Sequence, residues 1–173
     1  MIQVGKPAPE FDLEALIGLE MGRVRLSDYR GRWLVFYFYP LDFTFVCPTE
    51  IKEFNRRYDE FKEAGAEVLG GSVDSVYAHL EWTKTLGVLR YPLFSDITKQ
   101  VSRDYGVLIE EQGISLRGLF IIDPEGILRY QLVHELNVGR SVEETLRVLK
   151  ALQMGELCPV EWHPGEQTLG AAT

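Results

Sequence analysis

Apolar positions change their spacing several times along the chain, and each change predicts an element. "RWLVFYFY" (Arg32 to Tyr39) is a continuous β-branched and aromatic run, the pattern of a buried central strand. From Pro48 the period lengthens. Ile51, Phe54, Tyr58 and Phe61 recur at helical spacing with Lys52, Glu53, Arg56, Arg57 and Glu60 between them, which predicts one amphipathic helix closing at Gly65. "AEVLGGSV" (Ala66 to Val73) is the next strand, and a helix follows from about Ser75 to Leu86, stopped by Gly87. "ITKQVSRDYG" (Ile97 to Gly106) predicts a shorter helix. "GLFIID" and "ILRYQLV" predict a strand pair around the turn signal "PEG". "SVEETLRVLKALQ" opens with Ser141 and carries Glu144 three residues on, the pattern of a capping box before an amphipathic helix. The tail, "GELCPVEWHPGEQTLGAAT", has turn residues and no sustained period.

The predicted order is β-α-β-α-(α)-β-β-α. A strand–helix–strand connection demands a parallel pair, and the hairpin demands an antiparallel one. The expected fold is therefore α/β: a central mixed sheet flanked by helices, in a thioredoxin-like arrangement, with a C-terminal arm. The expected division is a domain over residues 1–154 and an arm over 155–173. Fold alone assigns no activity.

Composition narrows the classes. With 46% hydrophobic and 25% charged residues over 173 positions, the chain reads as a globular domain. A net charge of −8 and the lack of a basic stripe argue against binding nucleic acid. No stretch approaches the ~20 apolar residues of a membrane span. The first residues carry acids and break at Pro7 and Pro9, unlike a signal peptide, so the cytoplasm is expected. The two cysteines, Cys47 and Cys158, stand 111 positions apart. That spacing makes neither a disulfide scaffold nor a Cys-X-X-Cys dithiol or zinc motif. The three histidines are scattered.

Cys47 is the residue with chemistry to explain. Many free cysteines are small buried hydrophobes. This one falls between a strand end and a helix start, with Pro48 suited to the first helical turn. Open α/β sheets place ligands there, and helix N-terminal N–H groups favour an anion such as a thiolate. Thr44 supplies a hydroxyl three residues before, and Glu50 an acid three residues after. Glu50 is explained equally well by simple pairing with the helix dipole.

Pro40, Thr44 and Cys47 then match a Pro-X-X-X-Thr-X-X-Cys motif, and the chain resembles the peroxiredoxins. "FYPLDFTFVCPTE" is similar to the active-site stretch of their typical two-cysteine branch, which includes the peroxidase component of alkyl hydroperoxide reductase. "SVDSVYAHLEW", "YPLFSD", "DYGVL", "LRGLFIID", "NVGRSVEETLR" and "CPVEWHPG" follow in that family's order. The resemblance implies a thiol peroxidase that needs no metal, haem or flavin. It implies that Cys47 is the peroxidatic cysteine, that Thr44 and Arg117 hold the peroxide oxygens, and that Pro40 shields the thiolate. Glu50 and Arg140 would orient Arg117, and Cys158 would resolve the Cys47 sulfenic acid from the partner subunit. It implies a thioredoxin-like or flavoprotein-linked disulfide reductant, a homodimer and a decamer.

Chemistry agrees with a need for more than an acidic thiol. Lowering any thiol's pKa from ~8.5 to ~6 raises its anion fraction near neutral pH only about tenfold, and some nucleophilicity is lost. Donors that tighten on the stretching O–O bond must supply the rest. The Thr44 hydroxyl, the Arg117 guanidinium and the Cys47 N–H are the candidates. Local unwinding around Cys47 is expected before a disulfide to a distant tail can close. The chain lacks the Gly-Gly-Leu-Gly insertion and Tyr-Phe tail of sensitive members, so resistance to overoxidation is expected. The alternatives are a ring-shaped holdase, a protein disulfide oxidoreductase and a single-cysteine peroxidase.

Overall fold

A computed structural model describes residues 1–172. It contains two compact units, Met1–Arg140 and one that opens at Ser141.

In the first unit the strands are β1 (Asp12–Ile17), β2 (Glu20–Arg25), β3 (Trp33–Phe38), β4 (Ala66–Ser72), β5 (Leu93–Ser95), β6 (Leu108–Ile109), β7 (Ile114–Ser115), β8 (Arg117–Ile122) and β9 (Leu128–His134). The helices are α1 (Cys47–Arg56), α2 (Tyr58–Glu63), α3 (Val76–Leu86) and α4 (Gln100–Asp104). Seven strands form one sheet in the order β2-β1-β5-β4-β3-β8-β9. β4 runs parallel to β3 and β5, and the other neighbours are antiparallel, so the sheet is mixed as expected. The small pair β6–β7 stands apart from it.

Period-two alternation sends β3 side chains to two different layers. Leu34, Phe36 and Phe38 join a cluster with Phe11, Leu69, Phe94, Tyr105 and Phe120. Tyr37, on the opposite face, stacks on Phe54 of α1 at 4.6 Å between ring centres. Two adjacent glycines make room for these rings. A Cβ on Gly70 would lie 2.3 Å from the Tyr37 ring, and one on Gly71 2.3 Å from the Phe94 carbonyl oxygen.

Several predicted elements change in detail. The helix expected from Pro48 to Gly65 is two helices, because the backbone leaves helical geometry at Arg57. The Tyr58 hydroxyl then reaches Glu67 of β4 at 3.1 Å, and Phe61 is buried. The helix expected from Ile97 begins only at Gln100. Lys99 stands at φ 66°, and the Asp96 carboxylate accepts from the N–H groups of Val101 and Ser102, so it caps the helix start. The hairpin β1–β2, the short β5 and the β6–β7 pair lie outside the predicted order.

The second unit holds α5 (Val142–Met154) and the arm after it. Ser141 accepts from the Glu144 N–H at 3.0 Å, as expected of a cap. The Glu144 carboxylate pairs with Arg147 instead of completing the capping box. Arg147 also donates to the Trp162 carbonyl at 2.8 Å, and Leu157 pairs by backbone bonds with Leu169 and Gly170. The arm is thus tied to its own helix. Among the described residues no helix is long and apolar enough to cross a membrane.

Candidate active site

The end of β3 delivers Tyr39 and Pro40, the loop to Val46 follows, and Cys47 opens α1. A residue that opens a helix has no helical carbonyl four positions back, so its N–H is left for an external partner. Pro48 loses nothing in this turn by lacking a donor. Within the loop Phe43 stands at φ 60°, a left-handed conformation that costs a phenylalanine about 1–2 kcal/mol.

Six of the seven residues singled out in the sequence meet in this unit. Cys47 is completely buried. Arg117, at the start of β8, points its Nη1 to within 3.3 Å of the Cys47 Sγ. The same Nη1 donates to Glu50 Oε1 at 2.6 Å, and Nε donates to the Leu136 carbonyl at 2.8 Å. Glu50 lies one helical turn after Cys47 on the buried side of α1. Its other oxygen accepts from the Arg140 Nε at 2.6 Å and from the Arg140 N–H at 2.8 Å. Arg140 Nη1 donates to the carbonyls of Phe38 (2.7 Å) and Gly118 (2.6 Å), and its guanidinium lies 5.1 Å from the Tyr37 ring centre. Burial works to raise the Glu50 carboxyl, but the hydrogen bonds and charge of Arg140, joined by the charge of Arg117, outweigh it and hold Glu50 below its ordinary value. Two guanidiniums around one carboxylate leave a net positive charge beside the sulfur.

Thr44 Oγ1 donates to the Leu41 carbonyl at 3.0 Å. That directs the hydroxyl's single proton to the Leu41 carbonyl and leaves the oxygen's lone pairs free to accept. Pro40, Thr44, Val46, Ile114, Arg117 and Leu136 are among the residues lining a cleft of about 230 Å³. The cleft has room for a small peroxide, with Arg117 joining it to the sulfur below.

Cys158 lies in the second unit. It is half-buried, and its Sγ makes one long contact, to the Ala151 carbonyl at 3.8 Å. A groove of about 440 Å³ runs beside it between α5 and the arm. Both cysteines are free thiols. Among the described residues no cluster of three His, Cys, Asp or Glu side chains is placed to hold a metal ion.

Sequence reasoning missed a buried pair that joins this loop to α3: Asp42, a loop residue, is buried against His79. A signal was present, because Val76, His79, Trp82, Thr83 and Leu86 share the buried stripe of α3.

A buried thiol at a helix start, touched by a guanidinium that also lines a cleft, is an arrangement suited to thiol-based peroxide chemistry on a thioredoxin-like fold. Comparison with known proteins agrees. Residues 4–131 match the AhpC/TSA family. The chain is 58% identical over 174 residues to a Clostridium pasteurianum protein of the rubredoxin operon that carries a provisional peroxiredoxin name, covering 96% of this chain and 98% of that one. It is 52% identical to the mitochondrial thioredoxin-dependent peroxide reductase of Drosophila melanogaster, covering 94% and 74%. The reduced 2-Cys peroxiredoxin of Plasmodium vivax superposes with a TM-score of 0.93 at 44% identity, covering 96% of this chain and 92% of that one. The chain belongs to the AhpC/TSA family of peroxiredoxins, and it is a thiol-dependent peroxidase. The holdase alternative finds no support in these relatives.

Proposed function

We propose that Cys47 is the thiol that attacks hydrogen peroxide and organic hydroperoxides, and that Cys158 of a partner subunit resolves the product. The contact between Arg117 Nη1 and the Cys47 Sγ is the observation that carries this reading. The Cys47 thiolate attacks one peroxide oxygen and the O–O bond breaks. Sulfur loses two electrons and becomes a sulfenic acid, while the other oxygen leaves with a proton as water or an alcohol. The Arg117 guanidinium and the Cys47 N–H stabilise charge on the oxygens, and Thr44 accepts from the peroxide hydroxyl. Pro40 keeps water from the sulfur. Glu50 and Arg140 hold Arg117 in place, since Glu50 binds both guanidiniums.

The thiol of Cys158 then displaces water from the sulfenic acid and forms a disulfide. A thioredoxin-like dithiol or a flavoprotein-linked reductase returns two electrons and two protons. In this reading residues 155–173 are the arm that carries the resolving cysteine of a homodimer, and dimers assemble further into a decamer. The cytoplasm is its site of action, a compartment in which both thiols can be returned to the reduced state. Full burial of Cys47 supports unwinding of the first turn of α1 before the disulfide closes, because bridged Cα atoms must come within ~7 Å.

One experiment tests both cysteines. Equimolar hydrogen peroxide should convert the reduced protein to dimers on a non-reducing gel. Cys47→Ser should abolish peroxide consumption, a loss of about 10³-fold or more. Cys158→Ser should keep the first oxidation and lose the dimers. Dimers that persist in Cys158→Ser would refute the pairing.

A further inference from the structure

Tyr39, Asp42 and His79 form a buried titratable cluster with no part in the chemistry above. Both ring nitrogens of His79 face acceptors. Nε2 lies 2.8 Å from the Phe94 carbonyl oxygen, which can only accept, so Nε2 carries a proton. Nδ1 lies 2.6 Å from Asp42 Oδ2. A bare ring nitrogen and a bare carboxylate oxygen repel at that distance, so a proton stands between them. The other carboxylate oxygen of Asp42 accepts from the Tyr39 hydroxyl at 2.6 Å. The Asp42 N–H donates to Asp74 Oδ2 at 2.8 Å, and Ser72 donates to the same oxygen at 2.7 Å. Burial pushes the Asp42 carboxyl above its ordinary value, against the hydrogen bond and charge of His79.

The position of this cluster gives it a consequence. Asp42 is the second residue after Pro40 and the second before Thr44, and the next residue, Phe43, holds the left-handed conformation. A loop that keeps a bulky residue at positive φ must be held there by its surroundings. The tyrosine that precedes Pro40 is fixed by the same cluster, and its carbonyl accepts from Ser115 at 3.1 Å. The loop is therefore clamped at its start to α3 and β5, and it ends at Cys47.

We propose that Asp42 and His79 are positioning residues of peroxide reduction. The proton they share fixes the Pro40–Val46 loop, so that Thr44 and the Cys47 N–H keep the alignment that the stretching O–O bond requires. The inference rests on Cys47 being the peroxide-reactive thiol.

The test compares two rates on the reduced full chain. Oxidation by hydrogen peroxide is followed by stopped-flow tryptophan fluorescence. Alkylation of Cys47 by iodoacetamide, which needs an accessible sulfur but no aligned donors, is followed by mass. His79→Leu should lower the oxidation rate about 10²-fold, the scale of an ångström of misplacement, while alkylation of the otherwise buried Cys47 rises. Asp42→Leu should do the same. Asp42→Asn should recover the oxidation rate to within about threefold of wild type, since its amide can donate to Nδ1 of a neutral ring and its oxygen still accepts from Tyr39. If His79→Leu does not fold, His79→Gln, which can meet one of the two acceptors, takes its place. Wild-type oxidation in the His79 variant would overturn the proposal. So would an Asp42→Asn rate no better than that of Asp42→Leu. Oxidation surviving in Cys47→Ser would instead remove the reading of Cys47 beneath it, and its loss there alongside a wild-type rate in His79→Leu would remove only the positioning role.

Discussion

Cys47 is fully buried in the first turn of a ten-residue helix with a guanidinium 3.3 Å from its sulfur, whereas Cys158 is half-buried in an irregular arm with one long sulfur contact at 3.8 Å. The difference follows the two tasks proposed for them. Attack on a peroxide requires fixed donors aimed at charge that appears only as the O–O bond breaks, and fixed donors need a rigid, dry setting. Resolution requires a thiol that can reach a sulfenic acid. A short-lived encounter suffices, and a half-buried thiol outside any helix or strand meets fewer constraints than one locked in a helix start. The two thiols share a chemistry and differ in how many groups over-determine their positions.

The largest expected effect falls on the rigid side of this contrast. Arg117→Met removes the donor at the sulfur and the Leu136 anchor, and should lower the second-order rate of Cys47 oxidation by about 10²–10³-fold. Competition with a peroxidase of known rate measures it. A loss below tenfold would mean that the helix start alone supplies the stabilisation.

A smaller effect separates holding from reacting. Glu50→Gln leaves two buried guanidiniums without their counter-charge, and should destabilise the first unit by about 3 kcal/mol. The Glu50 carboxyl is held below its ordinary value in the folded chain. Its stabilisation is therefore present above the unfolded value of about 4.3 and is lost as pH falls through the lowered folded value. Acid denaturation followed by circular dichroism should show a shallower loss of stability below about pH 4.3 in Glu50→Gln than in wild type. A parallel pair of curves would remove Glu50 from the acid response.

The smallest effect lies in the second unit. Ser141→Ala deletes the cap of α5 and should cost about 1 kcal/mol of stability. It should leave the first oxidation of Cys47 unchanged. A slower oxidation in this variant would show that the helix carrying the arm also governs the reactive thiol, and the contrast between the two regions would weaken.

Local rules made much of this protein readable before its structure. The apolar run of β3, the helical stripe after Pro48, the glycine stops at Gly65 and Gly87 and the turn at Pro124–Gly126 are patterns of neighbouring residues, and propensity acts over that range. The Pro40–Thr44–Cys47 spacing is also local and carried the family resemblance, while Pro48 and the helical period after it placed Cys47 at a helix start. The missed elements were those with weak local signals. β5 is three residues long and is held by β1 and β4 on either side. The start of α4 moved because a carboxylate four residues earlier caps it. The direction of the Thr44 hydroxyl depended on which carbonyl its loop presented.

Residue order alone places a thiol at the junction of a strand and a helix, and an arginine at the head of another strand. Their contact is a product of the fold. Arg117 is 70 positions from Cys47, and Arg140 is 90 from Glu50. Such contacts exist because β3 lies between β4 and β8 in the sheet, which brings distant chain segments to one edge. The clamp of Asp42 on His79, 37 positions away, has the same origin. Hydrophobic period reports which face of an element is buried, but not which polar side chains it will be buried against. That second choice is made when the elements pack, because a charge taken out of water must find its partner there.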